Sequence, residues 1–248
     1  MKHLVMTAVI LGGTLAVGCT PAVPRPTVRF AVLAGSYYSA GGETPVEAAV
    51  VEASDDLLCR AVEDVNGREN VDFVLVAGDL LARAEPLSLD RARAALDELR
   101  VPYFVVLGDH DGPAPAGTAP AGDGQPADAE EGGLSRSTVL WAFQGRGIDG
   151  PDGYWARTVP PGVVVVGLDT AAPGRPAGHV DARQLAWLEE TLSRHQGRMV
   201  IVVAHHGLVP LHPLDEGEAW SHLMVDNAAE VRRSEEHTSE LQSLLIIS

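Results

Sequence analysis

The chain has 248 residues, 46% of them hydrophobic, and a formal net charge of −16. That length and composition suit one sizeable α/β domain rather than two. The acidity argues against a general nucleic-acid binder, because phosphate backbones attract basic faces, and two cysteines are too few for a disulfide framework.

The N-terminus, MKHLVMTAVILGGTLAVGCT, places a lysine before an apolar stretch and then small residues, the pattern of a secretory signal. LAVGC (15–19) resembles a bacterial lipobox, which makes Cys19 the lipidated first residue of the mature protein; ordinary cleavage stays open, since Ala16 stands where Leu is preferred. This reading gives a signal over 1–18, a tether over 19–29 and a membrane-anchored, extracytoplasmic lipoprotein in the periplasm or at the cell surface.

TVRFAVLA (27–34) is expected as the first strand. TPVEAAVVEASDDLLCRAVEDV (44–65) is expected as a helix: Thr44 and Glu47 make a capping-box signature, with Pro45 at the first helical position. Val46, Val50, Leu57, Ala61 and Val65 form its apolar stripe, and Cys59 reads as a small core residue. FVLVAGD (73–79) is a strand, PLSLDRARAALDELR (86–100) a helix and VPYFVVLGDH (101–110) the next strand. This β-α-β-α-β order predicts a parallel sheet with right-handed crossovers. Residues 113–133 are rich in Pro, Ala, Gly and Asp and read as a mobile insertion, either solvated or lid-like. YWARTV (154–159) and VVVVGLDT (163–170) suggest a hairpin. DARQLAWLEETLSRH (181–195) is a helix capped by Asp181, with Gln184 three residues on and Leu185, Leu188 and Leu192 as its apolar stripe. It leads into the strand MVIVVAHH (199–206). Residues 233–248, RSEEHTSELQSLLIIS, resemble the translation of a short-read sequencing adapter, which marks them as non-native and puts the end of the native chain near Arg232.

Three of these apolar runs end in ionisable groups: Asp79 after Gly78; Asp109, His110 and Asp111 after Gly108; and His205 and His206. Ligands of open α/β sheets bind beyond the carboxyl ends of the strands. Carboxylates and neutral imidazoles gathered there are a donor set for a divalent cation.

These blocks, in this order, resemble the calcineurin-like metallophosphoesterases, whose pattern is D-x-H, G-D, G-N-H-[DE], a histidine often followed by another, and G-H-x-H. Gly78-Asp79 matches the second block, Gly108-Asp109-His110-Asp111 the third and His205-His206 the fourth. GHVDARQLAWLEETL (178–192) looks like the helix before the fourth block in the branch that includes cyclic-nucleotide and glycerophosphodiester phosphodiesterases. The resemblance covers roughly residues 28–232. It implies a four-layer α/β/β/α sandwich of two mixed sheets flanked by helices, here incomplete at the C-terminus. It implies Asp79, Asp109 and His205 as ligands of Mn, Fe or Zn, with two metals in the family and one or two here. His110 would act on the leaving oxygen with Asp111 orienting its ring, and His206 and Asp169 would support the ligands.

Two departures stand out. Asp109 replaces the family's Asn, and Gly35 and Tyr37 occupy the places of the first-block Asp and His. The fifth block is missing. The expected function is metal-dependent hydrolysis of a small phosphoester by activated water, with no nucleic-acid partner. The alternatives are a single-metal enzyme and a non-catalytic ligand-binding or scaffolding relative of the same fold.

Overall fold

A computed structural model describes residues 27–40, 45–112, 133–171, 177–210, 218–236 and 243–247. The signal segment, Cys19, Thr44 of the capping box and nearly all of the 113–133 insertion lie outside the described residues.

The first half is the expected β-α-β-α-β unit. Strands β1 (Phe30–Leu33), β2 (Phe73–Ala77) and β3 (Tyr103–Val106) alternate with helices α1 (Pro45–Asn66) and α2 (Pro86–Asp97). They form a parallel sheet in the order β1-β2-β3, with Phe30 beside Phe73 and Val74 beside Tyr103. All five residues of β2 are buried, as a central parallel strand covered on both faces requires.

The stripe of α1 keeps the expected Val65 but replaces Leu57 and Ala61 with the residues one position on. Ser54, Leu58, Val62 and Val65 are buried, while Leu57 is 44% exposed. Cys59 is therefore exposed rather than a core residue. Within an apolar-rich helix, spacing alone leaves two adjacent phases nearly equivalent, and the sheet selects one.

The second half holds the hairpin of β4 (Trp155–Val159) and β5 (Val163–Gly167), helix α4 (Ala182–Arg194) and strand β6 (Met199–Val203). Strands β4 and β5 are antiparallel, and β5 and β6 are parallel. Of the two sheets expected to be mixed, only this one is so among the described residues. A strand at Ser243–Ile247 (β7) joins β6 in parallel. β7 takes up the backbone groups that the outer side of β6 would otherwise leave unpaired. Besides β7, three elements without a sequence expectation are α3 (Arg136–Ala142), a 3₁₀ segment (Glu218–Leu223) and α5 (Ala228–Glu236). Ser135 caps α3 by accepting from Thr138 N–H.

Alternation along β5 and β6 sets the layers. Val163, Val165, Ile201 and Val203 join the core shared with the first sheet. Val164, Val166, Val200 and Val202 face the opposite way and pack with Leu188 and Leu192 of α4 and Val231 of α5. Leu58 of α1 and Leu89, Ala92 and Leu96 of α2 cover the first sheet. The layers run helix, sheet, sheet, helix, as expected. No helix of the described residues is long and apolar enough to cross a membrane.

Trp155 joins the sheets. It is buried, its Nε1–H donates to the Val105 carbonyl at 2.8 Å, and its ring lies 5.7 Å from that of Phe104. Gly167 makes room for it, since a Cβ there would come within 2.3 Å of the indole. Trp155→Phe strands a buried carbonyl and is expected to cost about 1–3 kcal/mol in urea unfolding; unchanged stability would show that the bond does not tie the sheets.

Candidate metal centre

The carboxyl ends of β2, β3 and β6 converge, and bare backbone lets them do so. A Cβ on Gly78 would lie 2.5 Å from Nδ1 of His205, and one on Gly108 would lie 2.2 Å from Oδ1 of Asp79. Gly78 also has a φ of +82°, a conformation that favours glycine. The glycines before Asp79 and Asp109 are thus spatial requirements of the cluster as well as turn residues.

His205 Nε2 lies 3.2 Å from Asp109 Oδ1 and 3.3 Å from Asp79 Oδ1. Its Nδ1 lies 3.1 Å from the Ala77 carbonyl. A carbonyl only accepts, so Nδ1 carries a proton and Nε2 of the neutral ring is left as a donor atom for a cation. His206 Nε2 lies 3.9 Å from Asp109 Oδ1, and its Nδ1 lies 2.9 Å from Thr170 Oγ1. Asp109, His205 and His206 each offer one ligand atom, all within 4.8 Å of one another. Two imidazoles and a carboxylate fit the borderline divalent cations, Mn, Fe and Zn among them.

The sequence-predicted residues therefore meet, with some roles exchanged. His206, expected as support, stands among the candidate ligands. Asp79 sits beside His205 at the rear of the group and accepts from His110 N–H at 3.3 Å. The expected pairing of Asp111 with the His110 ring does not form. Asp111 is fully buried and accepts from the backbone N–H groups of Leu81 at 2.8 Å, Gly108 at 2.9 Å and Leu80 at 3.3 Å. It braces two strand ends together. The ring of His110 instead lies with Nδ1 3.1 Å from the Ala82 carbonyl.

The rear of the site contains residues that the sequence reading missed. Arg136 donates to the Gly108 carbonyl at 3.0 Å and to Asp169 Oδ1 at 2.5 Å, tying α3 to both halves of the site. Gln184 does not close a capping box. Asp181 accepts from Gln184 N–H at 2.8 Å, but the Gln184 amide reaches to the Asp169 backbone, accepting from its N–H and donating to its carbonyl, both at 2.8 Å. Asp169-Thr170 after an apolar strand was the available signal, since it repeats the pattern of the other three strand ends.

Electrostatics follow from this packing. Burial opposes ionisation of Asp109, but the hydrogen bond with His205 and its own backbone N–H hold its pKa down at about 2. Burial likewise opposes protonation of His205, but the bond to Asp109 and the Asp79 charge outweigh it and raise the pKa. For Asp111, burial dominates and pushes the carboxyl up against its three backbone donors.

The calcineurin-like phosphoesterase family model matches residues 51–231, more than half of the chain. The chain belongs to the calcineurin-like phosphoesterase family. The match spans the Asp79, Asp109–Asp111 and His205–His206 blocks but begins after β1 and the loop carrying Gly35 and Tyr37. A search of curated proteins finds no match. Family members are metal-dependent, and the Asp109–His205–His206 group is where this phosphoesterase has the donors for a cation.

A proton and a cation compete for Nε2 of His205. With its pKa raised above 6.5, His205 favours its charged form in the metal-free fold at low pH and gives up that proton as pH rises. Zn²⁺ affinity is therefore expected to rise between pH 6 and 8, with proton release on binding at pH ~6.5, read with a pH indicator. Affinity and proton count independent of pH would place the cation away from His205.

Proposed function

We propose that the chain is a metal-dependent phosphoesterase that hydrolyses phosphodiester or small phosphomonoester bonds at the carboxyl ends of β2, β3 and β6. The observation that carries this is the Asp109–His205–His206 group, with three ligand atoms within 4.8 Å of one another, in a chain of this family. Asp79, Asp109 and His205, joined by His206, are the residues that would hold the cation. Such a cation brings the pKa of a nearby water to about 7 and offsets charge on the phosphoryl oxygens.

The chain's own groups do the rest. The Ala77 carbonyl holds His205 with Nε2 toward the centre. Asp109, ionised over the whole working range, balances the charge. His110 is exposed and is held through Nδ1, its backbone N–H and an edge-on contact with the Tyr37 ring. With Nδ1–H turned to the Ala82 carbonyl, its Nε2 would pass a proton to the departing oxygen from the doubly protonated ring, which is left neutral and takes a proton back from water, a role typically worth 10²–10⁴-fold. Asp111 supports His110 indirectly, by fixing the loop that carries it.

The substrate class follows the branch suggested by GHVDARQLAWLEETL, that of the cyclic-nucleotide and glycerophosphodiester enzymes. We also place the protein outside the cytoplasm, anchored by lipid on Cys19. A second reading, a non-catalytic member that binds ligand on the same fold, is favoured by Gly35 and Tyr37 in place of the family's first-block ligands.

Bis(p-nitrophenyl) phosphate with Mn²⁺ tests the proposal. The wild type should hydrolyse it, lose activity in chelator and regain it with Mn²⁺. His205→Ala should lose about 100-fold or more, and His110→Gln a comparable factor. A wild type that binds Mn²⁺ but hydrolyses neither diester nor monoester would establish the non-catalytic reading.

A further inference from the structure

Helix α3 carries no motif, yet its first residue, Arg136, bonds to both halves of the metal centre. Nη1 donates to the Gly108 carbonyl at 3.0 Å and Nη2 to Asp169 Oδ1 at 2.5 Å. The stem lies beside Gly112, where an added Cβ would stand 3.5 Å from the Arg136 Cβ. The ion pair is largely shielded, its two side chains 18% and 21% exposed.

Each partner of Arg136 adjoins a ligand. Gly108 immediately precedes Asp109, the carboxylate of the candidate group. Asp169 immediately precedes Thr170, which is fully buried and holds His206 twice. Thr170 Oγ1 accepts from the His206 backbone N–H at 3.2 Å and lies 2.9 Å from Nδ1 of its ring. For Nε2 to face a cation, Nδ1 must carry the proton of the neutral ring, so Thr170 Oγ1 accepts there as well. Asp169 is fixed from behind, because the Gln184 amide bonds its backbone N–H and carbonyl, both at 2.8 Å.

The two imidazoles are therefore seated differently. His205 rests on the first sheet through its own bond to the Ala77 carbonyl. His206 rests on Thr170, beyond the end of β5, and Arg136 ties that segment to the backbone of Gly108. Asp109 Oδ1 and His206 Nε2 come from different sheets and stand 3.9 Å apart.

We propose that Arg136, through Asp169 and Thr170, is a positioning residue that sets His206 opposite Asp109 and so keeps the second imidazole in the ligand set. The proposal rests on the metal-centre reading above and extends it. A planar guanidinium suits the task, since its rigid fork bonds a carbonyl and a carboxylate at once in fixed geometry. Its charge is matched by Asp169, so the brace adds no net charge behind the cation.

The test is a double-mutant cycle read by calorimetric titration of the metal-free 248-residue chain with Mn²⁺. R136M and H206A should each weaken Mn²⁺ binding about 10- to 100-fold, the range for disturbed support of a metal ligand. In the R136M background, H206A should cost less than about threefold more, because His206 has already left the ligand set. R146M is the control. Arg146 bonds Asp97 at 2.6 Å and stacks on Tyr103 at the amino end of β3, the pole opposite the centre. Its loss should lower the melting temperature and leave Mn²⁺ affinity within about twofold of wild type. If R136M does not fold, D169A, which keeps both backbone bonds to Gln184, takes its place in the cycle. R136M or H206A within about twofold of wild type, or H206A costing the same factor in both backgrounds, overturns the inference and leaves a centre built on Asp109 and His205. A wild type that binds no Mn²⁺ overturns the centre and the inference together.

Discussion

Everything at the site depends on His205 lying directly over the backbone of Gly78. The approach is so close that a single added Cβ would stand 2.5 Å from the imidazole. Because it is that close, the ring can give its Nδ1 proton to the Ala77 carbonyl, and the second sheet's strand end meets the first sheet's carboxylates. The Trp155 bond to Val105 and the Arg136 clamp on Gly108 and Asp169 hold the two sheets at the same spacing from other directions.

Charge explains why this arrangement wants a cation. The chain carries −16 overall, and Asp79, Asp109 and Asp111 crowd one pole of it. An anionic phosphoester gains little from such a field unless positive charge is supplied locally. Arg136 is committed to Gly108 and Asp169 and cannot supply it. A divalent ion between Asp109 and the two histidines would offset the Asp79 and Asp109 carboxylates and set a local positive centre beside the substrate's oxygens. Without it, a proton on His205 performs the first task only.

Much of this was legible in the sequence. The apolar runs before Asp79, Asp109 and His205 became three buried strands ending at one pole, because continuous apolar runs with β-branched residues have few other uses in an α/β chain. What escaped was chosen by tertiary contact. The phase of α1 was decided by the sheet and not by spacing, which exposed Leu57 and Cys59. Asp111 looked like a partner for a neighbouring imidazole, yet buried backbone N–H groups with no other acceptor claimed it. Gln184 matched a capping box but was drawn to Asp169. The promotion of His206 depended on Thr170, 36 residues away, a distance no local pattern reports.

The most direct measurement is an anomalous difference map from crystals grown with Zn²⁺. The account predicts a peak about 2.0–2.2 Å from His205 Nε2 and an Asp109 oxygen, with His206 Nε2 facing it. No peak there, or a peak coordinated by other residues, would contradict it.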